Sequence, residues 1–451
     1  MKTPALIEMA FRRARRLSED SLLRNGLYIM GTTAVTSLFG FVFWIIAARV
    51  LDAEDVGRAA ALVSAMLFVG VFTNLGLGQV FISRLPSRAD GHDWSLTVTT
   101  ALLATTLASL AGGASAAVAL PLLIPSLKGG LSAATFLILP LGVIGASCSL
   151  VLDYAFIAER HAKPSFLRNA AGALLRVVLI GAAALGPLSS AAGLLAVWVA
   201  SFLLVDAFTL IRTLPALHRR FRPTLDGWRQ ELVAMRGLIA GHQSINLGSQ
   251  ATTYLLPVIV SGRLGPTDNA YFYSTFMLAS GLFFIAPAIA NSLFVEGAHH
   301  PHHLERDVRR AARHIATLAV FPMVVLLIGG PLLLGFFGPE YADEGTGLLY
   351  VLVGAALFDA GYQLAIGVLR ARHRLRDAAI ATWVTLVLAI GSTWVLLPPL
   401  GLVGAGIGWG LGKLAGMCVA CYFVARHQAA DRPAPDVPPS ATVDLDPKGP
   451  I

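Results

Sequence analysis

The sequence is poor in charged residues and in cysteine. Only 13% of its 451 residues are charged, about half the share in a typical soluble protein, which excludes an ordinary soluble enzyme. Three cysteines are too few for a disulfide scaffold. Hydrophobic residues make up 56% of the chain, and they gather in runs of about 20 residues, the length that crosses a bilayer. The composition therefore predicts an all-α polytopic membrane protein.

Twelve apolar runs are long enough to be transmembrane helices, which need about 20 residues each. Charged residues, prolines and glycines separate these runs from one another. The predicted spans are residues 27–48, 57–82, 96–121, 131–157, 166–185, 191–211, 237–261, 271–292, 315–336, 347–369, 378–396 and 403–425.

Basic residues are concentrated in alternate loops. Of the 34 Lys and Arg residues, 28 lie in the N-terminus, the loops after even-numbered spans and the tail, whereas four lie in the opposite loops. The positive-inside rule then predicts two cytoplasmic termini in the inner (cytoplasmic) membrane. Residues 1–26 mix arginines with apolar residues and predict an amphipathic helix on the cytoplasmic surface, and the tail 426–451 is predicted to be disordered.

Two loop sequences recur in the second half of the chain. Residues 49–55 match 263–268 at an offset of 213, and residues 159–161 match 371–373 at an offset of 212. Matching loops six helices apart indicate a duplicated six-helix unit, whose two parallel copies are related by an axis along the membrane normal. The predicted domains are an N-terminal lobe 27–211, a cytoplasmic interlobe linker 212–236 with an interfacial helix, and a C-terminal lobe 237–425.

Four sequence motifs point to a family. The segments FWIIAARVLDAEDVGRAAALVSAM, AERHAKPS, LGFFGPEYADEGTGLLYVLV and RARHRLRDA resemble the oligosaccharide flippases of the MOP superfamily, the Wzx-type exporters of lipid-linked sugar units. The resemblance covers about residues 20–425. It implies two six-helix lobes around a central cavity that alternates between the membrane faces and carries an undecaprenyl-diphosphate-linked oligosaccharide outward for surface polysaccharide or exopolysaccharide. The implied partners are this lipid-linked sugar, membrane lipids, and a polysaccharide polymerase and glycosyltransferases, and not nucleic acid.

Charged residues inside the spans are functional candidates, because each costs at least a few kcal/mol in the bilayer. Arg176 would bind the diphosphate of the substrate through its planar fork, or else pair with Asp153 or Asp206 of the same lobe. Lys413 is either a second cation of the cavity or the partner of Asp359. Asp359 is in turn either a counter-ion or the proton or sodium site that couples transport to a gradient, with Asp153 and Asp206 as further candidates.

The seventh span carries a polar stripe. His242, Asn246, Gln250 and Tyr254 follow one another at intervals of four residues and share a helix face, with Gln243 beside them. A polar stripe cannot face lipid. In the family that the sequence resembles, the first helix of each lobe lines the cavity, which implies contacts with sugar hydroxyls. Hydrogen bonding between helices is the alternative.

Motifs for metal, nucleotide or redox chemistry are incomplete. Cys418 and Cys421 lie in an apolar helix without a second ligand pair, and Ile407 stands where a P-loop needs its first glycine. The histidines between 299 and 303 sit among arginines, which is typical of a solvated or headgroup-facing segment. The sequence therefore predicts no metal site and no cofactor.

The predicted outward loops have about ten residues or fewer, too few to build a catalytic pocket. A transporter is therefore favoured over a membrane glycosyltransferase or polymerase. A cation-coupled multidrug exporter of the same superfamily is the main alternative, although its cavity would favour carboxylates. A lipid II flippase is a further one, but such proteins usually have two extra C-terminal helices that nothing in this sequence can form. The last alternative is a protein that does not transport anything and serves as a scaffold for the polysaccharide assembly complex.

Overall fold

The described part of the chain is helical. No strand occurs among the residues that the structure, a computed structural model, describes. Residues 1–20 of the predicted N-terminal surface helix, the histidine cluster and most of the tail lie outside these residues, and residues 21–26 of that predicted helix belong to the first transmembrane helix. The described residues are 21–88, 90–130, 133–183, 190–217, 221–290 and 304–430, with some side chains among them left out.

Each of the twelve predicted spans corresponds to a helix. The N-terminal lobe contains α1 Ser21–Val50, α2 Ala53–Thr73, α3 Gly91–Leu123, α4 Ala133–Ala158, α5 Ala162–Ala183 and α6 Ala191–Phe208. The C-terminal lobe contains α7 Trp228–Arg263, α8 Pro266–Phe283, α9 Leu304–Gly335, α10 Pro339–Ala371, α11 375–400 and α12 402–430. A short helix, Leu77–Arg84, continues α2 after a turn.

These helices make the chain a multi-pass membrane protein. In the described residues, ten helices are long and apolar enough to cross a membrane. The last of them, Leu375–Ala430, bends at Gly401 and therefore supplies both α11 and α12. The more polar α7 completes the set of twelve.

Local sequence sets the tight turns at the predicted outer end of the bundle. The side chain of Asp52 caps α2 by accepting a hydrogen bond of 2.8 Å from the Asp55 amide. Pro266 occupies the first turn of α8 after Gly265, whose φ of +116° favours glycine. The bend at Gly401 likewise has a φ of +57°. These connections bring consecutive helices back into the membrane within a few residues.

The C-terminal ends of α4 and α10 confirm the internal repeat. Arg160 and His373 both adopt the left-handed conformation with φ of 57°. The next amide, of His161 or Arg374, then bonds a carbonyl in the last helical turn at 2.9 or 2.8 Å, so both helices end in a Schellman motif. The structural offset at this loop is therefore 213 residues, and the sequence match at 212 is one residue out of register.

Equivalent helices also pack in the same way in each lobe. In the N-terminal lobe α1 packs on α5, α3 on α4 and α4 on α6, and in the C-terminal lobe α7 packs on α11, α9 on α10 and α10 on α12. The glycines that recur every fourth residue in α12 lie against α11, where a Cβ at Gly412 would come within 2.5 Å of Ala389. The small residues thus permit the close helix approach that their spacing predicts.

The two lobes meet closely at the predicted outer end. Gly57 of α2 lies against the start of α8, where an added Cβ would be only 1.7 Å from the carbonyl oxygen of Pro266. The Asn269 side chain donates to the Gly57 carbonyl at 2.8 Å. Arg49 donates to the carbonyls of Gly335 and Phe336 at 2.9 and 2.8 Å. We call this set of contacts the outer closure.

At the opposite end the first turn of α7 is attached to the N-terminal lobe. Glu231 is buried and accepts hydrogen bonds from Arg88 at 2.9 Å, from Arg84 at 3.2 Å and from Thr97 at 2.8 Å. Met235 is buried in the same lobe. Helix α7 therefore begins inside the segment predicted as a linker, and it runs unbroken from one lobe into the other.

Candidate functional site

Arg176 lies on α5, in the half of the bundle that is predicted to be the outer one. It precedes the last residue of α5, Ala183, by seven positions, which is about 10 Å along the helix axis. Its guanidinium stacks over Trp198 of α6 at 4.2 Å from the ring centroid and over Phe202 at 5.5 Å. Within the described residues it forms no ion pair, and its hydrogen bond goes to the Gly172 carbonyl at 3.3 Å. The arginine is thus held by aromatic rings and retains an uncompensated charge.

Arg176 also interacts with the other lobe. Tyr273 of α8 lies within electrostatic range of Arg176 and of Tyr254 of α7. The ring of Tyr273 packs on Trp44 of α1, with centroids 4.8 Å apart. Two residues predicted from the sequence, Arg176 and Tyr254, therefore lie in the neighbourhood of Tyr273 between the lobes, just inside the outer closure. We call Trp44, Arg176, Trp198, Tyr254 and Tyr273 the interlobe cluster.

The two acidic residues of the N-terminal lobe pair with a different arginine. Arg168 of α5 contacts Asp153 of α4 at 2.7 Å and Asp206 of α6 at 2.6 Å. Because both carboxylates contact Arg168, neither pairs with Arg176. The alternative prediction of an ion pair between Arg176 and Asp153 or Asp206 is therefore not seen in this structure. Arg168 stands near the start of its helix, where sequence reasoning counts it among the loop cations. Its position one helical turn after the loop cation Lys163 gives no sequence signal that it is buried.

Asp359 and Lys413 form a direct ion pair. The Asp359 carboxylate of α10 lies 2.7 Å from the Lys413 ammonium of α12, and both side chains are largely buried. The ammonium also lies over the rings of Tyr362 and Trp409, at 5.0 and 5.2 Å from their centroids. In this structure Lys413 is therefore the partner of Asp359, which was one of its two predicted roles. The aromatic rings add cation–π attraction to the ammonium.

A cavity of about 280 Å³ borders Asp359. It lies between α8, α9 and α10, and its walls are apolar apart from this carboxylate, with Ala286, Ile315, Met323 and Leu364 among the lining residues. Asp359 therefore contacts Lys413 on one side and borders an apolar cavity on the other.

The polar stripe of α7 is divided between different surroundings. Gln243 donates to the carbonyls of Val71 and Phe72 on α2, at 2.8 and 3.2 Å, so this residue follows the alternative of interhelical hydrogen bonding. Gln250 is half-buried. Tyr254 belongs to the interlobe cluster. The side chains of His242 and Asn246 lie outside the described residues.

The structure adds three members of the interlobe cluster that sequence reasoning does not single out. Trp44, Trp198 and Tyr273 lie in apolar runs where an aromatic residue is usually read as core. The one sequence signal that could have linked them to Arg176 is their position, since each lies six or seven residues from the predicted outer end of its helix.

Comparison with known proteins places the chain in a family. Residues 22–272, more than half of the chain, match the family model described as "Polysaccharide biosynthesis protein". No curated protein sequence matches the chain.

Solved structures share the fold at low sequence identity. An inward-facing multidrug resistance MATE family transporter of the MOP superfamily aligns with a TM-score of 0.68 and 16% identity over 88% of this chain and 95% of that one. The lipid II flippase MurJ, in an inward closed conformation, aligns with a TM-score of 0.68 and 14% identity over 88% and 87%. An outward-facing MATE family transporter of the superfamily aligns with a TM-score of 0.55 and 14% identity over 91% and 96%. The chain therefore belongs to the polysaccharide biosynthesis protein family and has the two-lobed fold of the MOP-superfamily transporters.

Proposed function

We propose that the protein is a flippase that moves an undecaprenyl-diphosphate-linked oligosaccharide from the cytoplasmic to the outer leaflet of the cytoplasmic membrane. The observation that carries this proposal is Arg176, a half-buried guanidinium that has no carboxylate partner among the described residues and lies between the lobes. A guanidinium can donate two parallel hydrogen bonds to a phosphate, and low dielectric strengthens the attraction. Membership of a polysaccharide biosynthesis family supports the lipid-linked sugar as cargo.

The charge pairing in the bilayer favours an anionic cargo over a cationic drug. The carboxylates of Asp153, Asp206 and Asp359 all contact a basic side chain, whereas Arg176 does not contact an acidic one within the described residues. A cavity for lipophilic cations would need the opposite balance. The TM-scores to the drug transporter and to the lipid II flippase are equal at 0.68 and do not discriminate between these cargoes. The short connections at 51–52, 264–265 and 336–338 also favour a transporter over an enzyme.

The conformation supports alternating access. With cytoplasmic termini, the outer closure seals the outer side, so the substrate would enter from the cytoplasm and reach Arg176 beneath the seal. The higher TM-score to the inward-facing MATE transporter than to the outward-facing one, 0.68 against 0.55, agrees with this assignment.

The cargo is tested in cells that lack the gene. We expect these cells to accumulate lipid-linked oligosaccharide with its sugar on the cytoplasmic side, and the wild-type gene to restore its appearance on the outer side. Normal surface polysaccharide together with increased sensitivity to lipophilic cationic drugs would instead identify the multidrug exporter.

The orientation can be tested by cysteine labelling in a variant without Cys148, Cys418 and Cys421. We expect single cysteines at Asp268 and Asp343 to react with an impermeant maleimide in intact cells. Cysteines at Arg222 and Arg374 should react only after the cells are permeabilised. Labelling of intact cells at Arg374 alone would mean that the helices of the C-terminal lobe have been miscounted.

The outer closure gives a prediction about the conformational equilibrium. Gly57→Ala places a Cβ 1.7 Å from a backbone oxygen of α8, so the lobes must separate at this end. The distance between spin labels at Asp52 and Thr267 should increase and the outward-open population should rise. Gly281→Ala on α8 is the matched control, because its Cβ meets no atom within 4 Å, and it should leave the distance distribution unchanged. Equal distributions in both variants would contradict the assignment of this contact as the closure.

A further inference from the structure

Three buried ionisable side chains join α4, α5 and α6. Arg168 lies between Asp153 and Asp206, and the N–O distances are 2.7 and 2.6 Å. The side chains of Arg168 and Asp206 are 5% and 7% exposed, and that of Asp153 is 21% exposed. Two carboxylates and one guanidinium carry one negative charge in excess when all three are ionised. We call these three residues the α4–α6 triad.

The guanidinium does not compensate both carboxylates fully. One terminal nitrogen, Nη1, contacts Asp206, and the other, Nη2, contacts Asp153. Nη2 also donates a hydrogen bond to the Ser149 carbonyl at 2.9 Å. The Nε atom of Arg168 is buried and has no hydrogen-bond partner among the described residues. Neither carboxylate therefore receives the two-pronged contact that makes an arginine–carboxylate pair strong.

Among the described residues, no other cation pairs with a carboxylate of the triad. Lys163, near the start of α5, is exposed and pairs with neither carboxylate in the described structure, and Arg176 lies two turns further along α5. Arg160, His161 and Arg212, near the ends of these helices, are exposed and pair with neither carboxylate in the described structure. The remaining titratable groups on the packed helices are neutral or engaged elsewhere. They are Cys148 and Tyr154 on α4, Glu159, which accepts a hydrogen bond from Trp94, and Tyr28 on α1, which packs on Phe166.

A buried excess charge is costly, and a proton on one carboxylate removes it. We infer that the α4–α6 triad is a proton-binding site of the N-terminal lobe, which holds one proton on Asp206 in this conformation. The site is separate from Asp359 and Lys413, which compensate each other as a pair.

The hydrogen bonds identify Asp206 as the carrier. Asp153 accepts from the Asn169 amide at 2.8 Å, from the Ser165 hydroxyl and from Arg168, and these donors all favour the ionised form. Asp206 has fewer donors: it accepts from the Ser149 hydroxyl, whose oxygen lies 2.8 and 3.0 Å from its two carboxyl oxygens, and from Arg168 at 2.6 Å. The Ser149 oxygen also accepts from Arg168 at 3.1 Å. Because a hydroxyl both donates and accepts, Ser149 can rotate its O–H away and accept the proton of a neutral Asp206, which still accepts from Arg168.

The donors also select a proton over a metal ion. Sodium and similar hard cations require several oxygen ligands, whereas the groups that face these carboxylates are a guanidinium, an amide NH₂ and hydroxyls that donate. Asp153 lies five residues before the end of α4, so a proton can reach the triad from the predicted cytoplasmic side. Release of the proton would leave a negative charge that pulls on Arg168, and if the proposed flippase function holds, this links protonation to movement of α4, α5 and α6.

Infrared spectroscopy of the purified protein in lipid nanodiscs tests the proton directly. A protonated carboxyl group absorbs in a region separate from carboxylates, and we expect its band in the wild type at neutral pH. Asp206→Asn should abolish the band. Asp153→Asn should abolish it too, because the remaining Arg168–Asp206 pair is neutral without a proton. The double variant Asp359→Asn with Lys413→Met, which removes a carboxylate of the other lobe together with its partner, should leave the band in place.

Absence of the band in the wild type, or its persistence in either Asp153→Asn or Asp206→Asn, would overturn the inference. Each of these two variants leaves Arg168 one carboxylate partner, so at least one folded variant is expected, and size-exclusion chromatography reports its state. The measurement uses no substrate. A negative result therefore leaves the flippase proposal standing, and a failure of the flippase proposal leaves the proton site to be judged on its own.

Discussion

Arg176→Ala is expected to abolish transport of the lipid-linked oligosaccharide while the protein remains folded in the membrane. Hydrogen bonds to charged groups contribute about 1.5–3 kcal/mol each, so the loss of two bonds to a diphosphate should reduce the transport rate at least about 100-fold. The fold should lose only the stacking on Trp198 at 4.2 Å, a contact of about 0.5–2 kcal/mol. Transport of labelled lipid-linked sugar and the amount of folded protein are measured on the same membranes.

Two further variants separate the charge from the stacking. Arg176→Lys keeps a cation but loses the planar fork, so we expect a partial recovery. Arg263→Ala is the matched control, because Arg263 also stacks over a tryptophan, Trp394, at 4.4 Å, but it lies at the end of α7 away from the interlobe cluster. Full activity of Arg176→Ala would contradict the proposed role of Arg176 in binding the diphosphate. Loss of the protein from the membrane would show instead that Arg176 stabilises the fold.

The second large effect concerns Asp359 and Lys413. Asp359→Asn leaves a buried ammonium without its partner at 2.7 Å, which costs about 3–5 kcal/mol of stability. The double variant Asp359→Asn with Lys413→Met removes both charges and should recover the stability of the wild type. If Asp359 couples transport to a proton or sodium gradient, which is one of the two roles that the sequence leaves open, the double variant will be folded but will not respond to the gradient.

Thermal unfolding in detergent and gradient-driven uptake into vesicles are the two measurements on this pair. Recovery of gradient-driven transport in the double variant would show that Asp359 is a counter-ion of Lys413. A different ionisable residue would then couple transport to the ion gradient.

The fold could be predicted because its main determinants are local in the sequence. A span needs about 20 apolar residues, and each of the twelve runs is a helix in the structure. The repeat was visible in two loops, and its exact register came from the paired left-handed residues Arg160 and His373. The extent of α7 was harder to predict, because Glu231 holds its charged first turn through arginines that lie far away in the sequence.

The candidate site was predicted only in part, since side-chain partners depend on which helix faces meet. Arg176 stood out because apolar residues flank it on α5, and Lys413 for the same reason on α12. Arg168 was counted with the loop although it is buried between two carboxylates. Its burial follows from the packing of α4, α5 and α6 around it, and the spacing of residues along one helix does not contain that information.

The central claim, translocation of a diphosphate-linked sugar by way of Arg176, is tested most directly with the purified protein in liposomes. Undecaprenyl-diphosphate oligosaccharide with a labelled sugar is distributed in both leaflets, the outer pool is removed with an added glycosidase, and the further loss of label is followed. We predict that the inner pool becomes accessible quickly with the wild type and with Arg263→Ala, and no faster than in protein-free liposomes with Arg176→Ala. Equal rates for wild-type and protein-free liposomes, or for wild type and Arg176→Ala, would contradict the account.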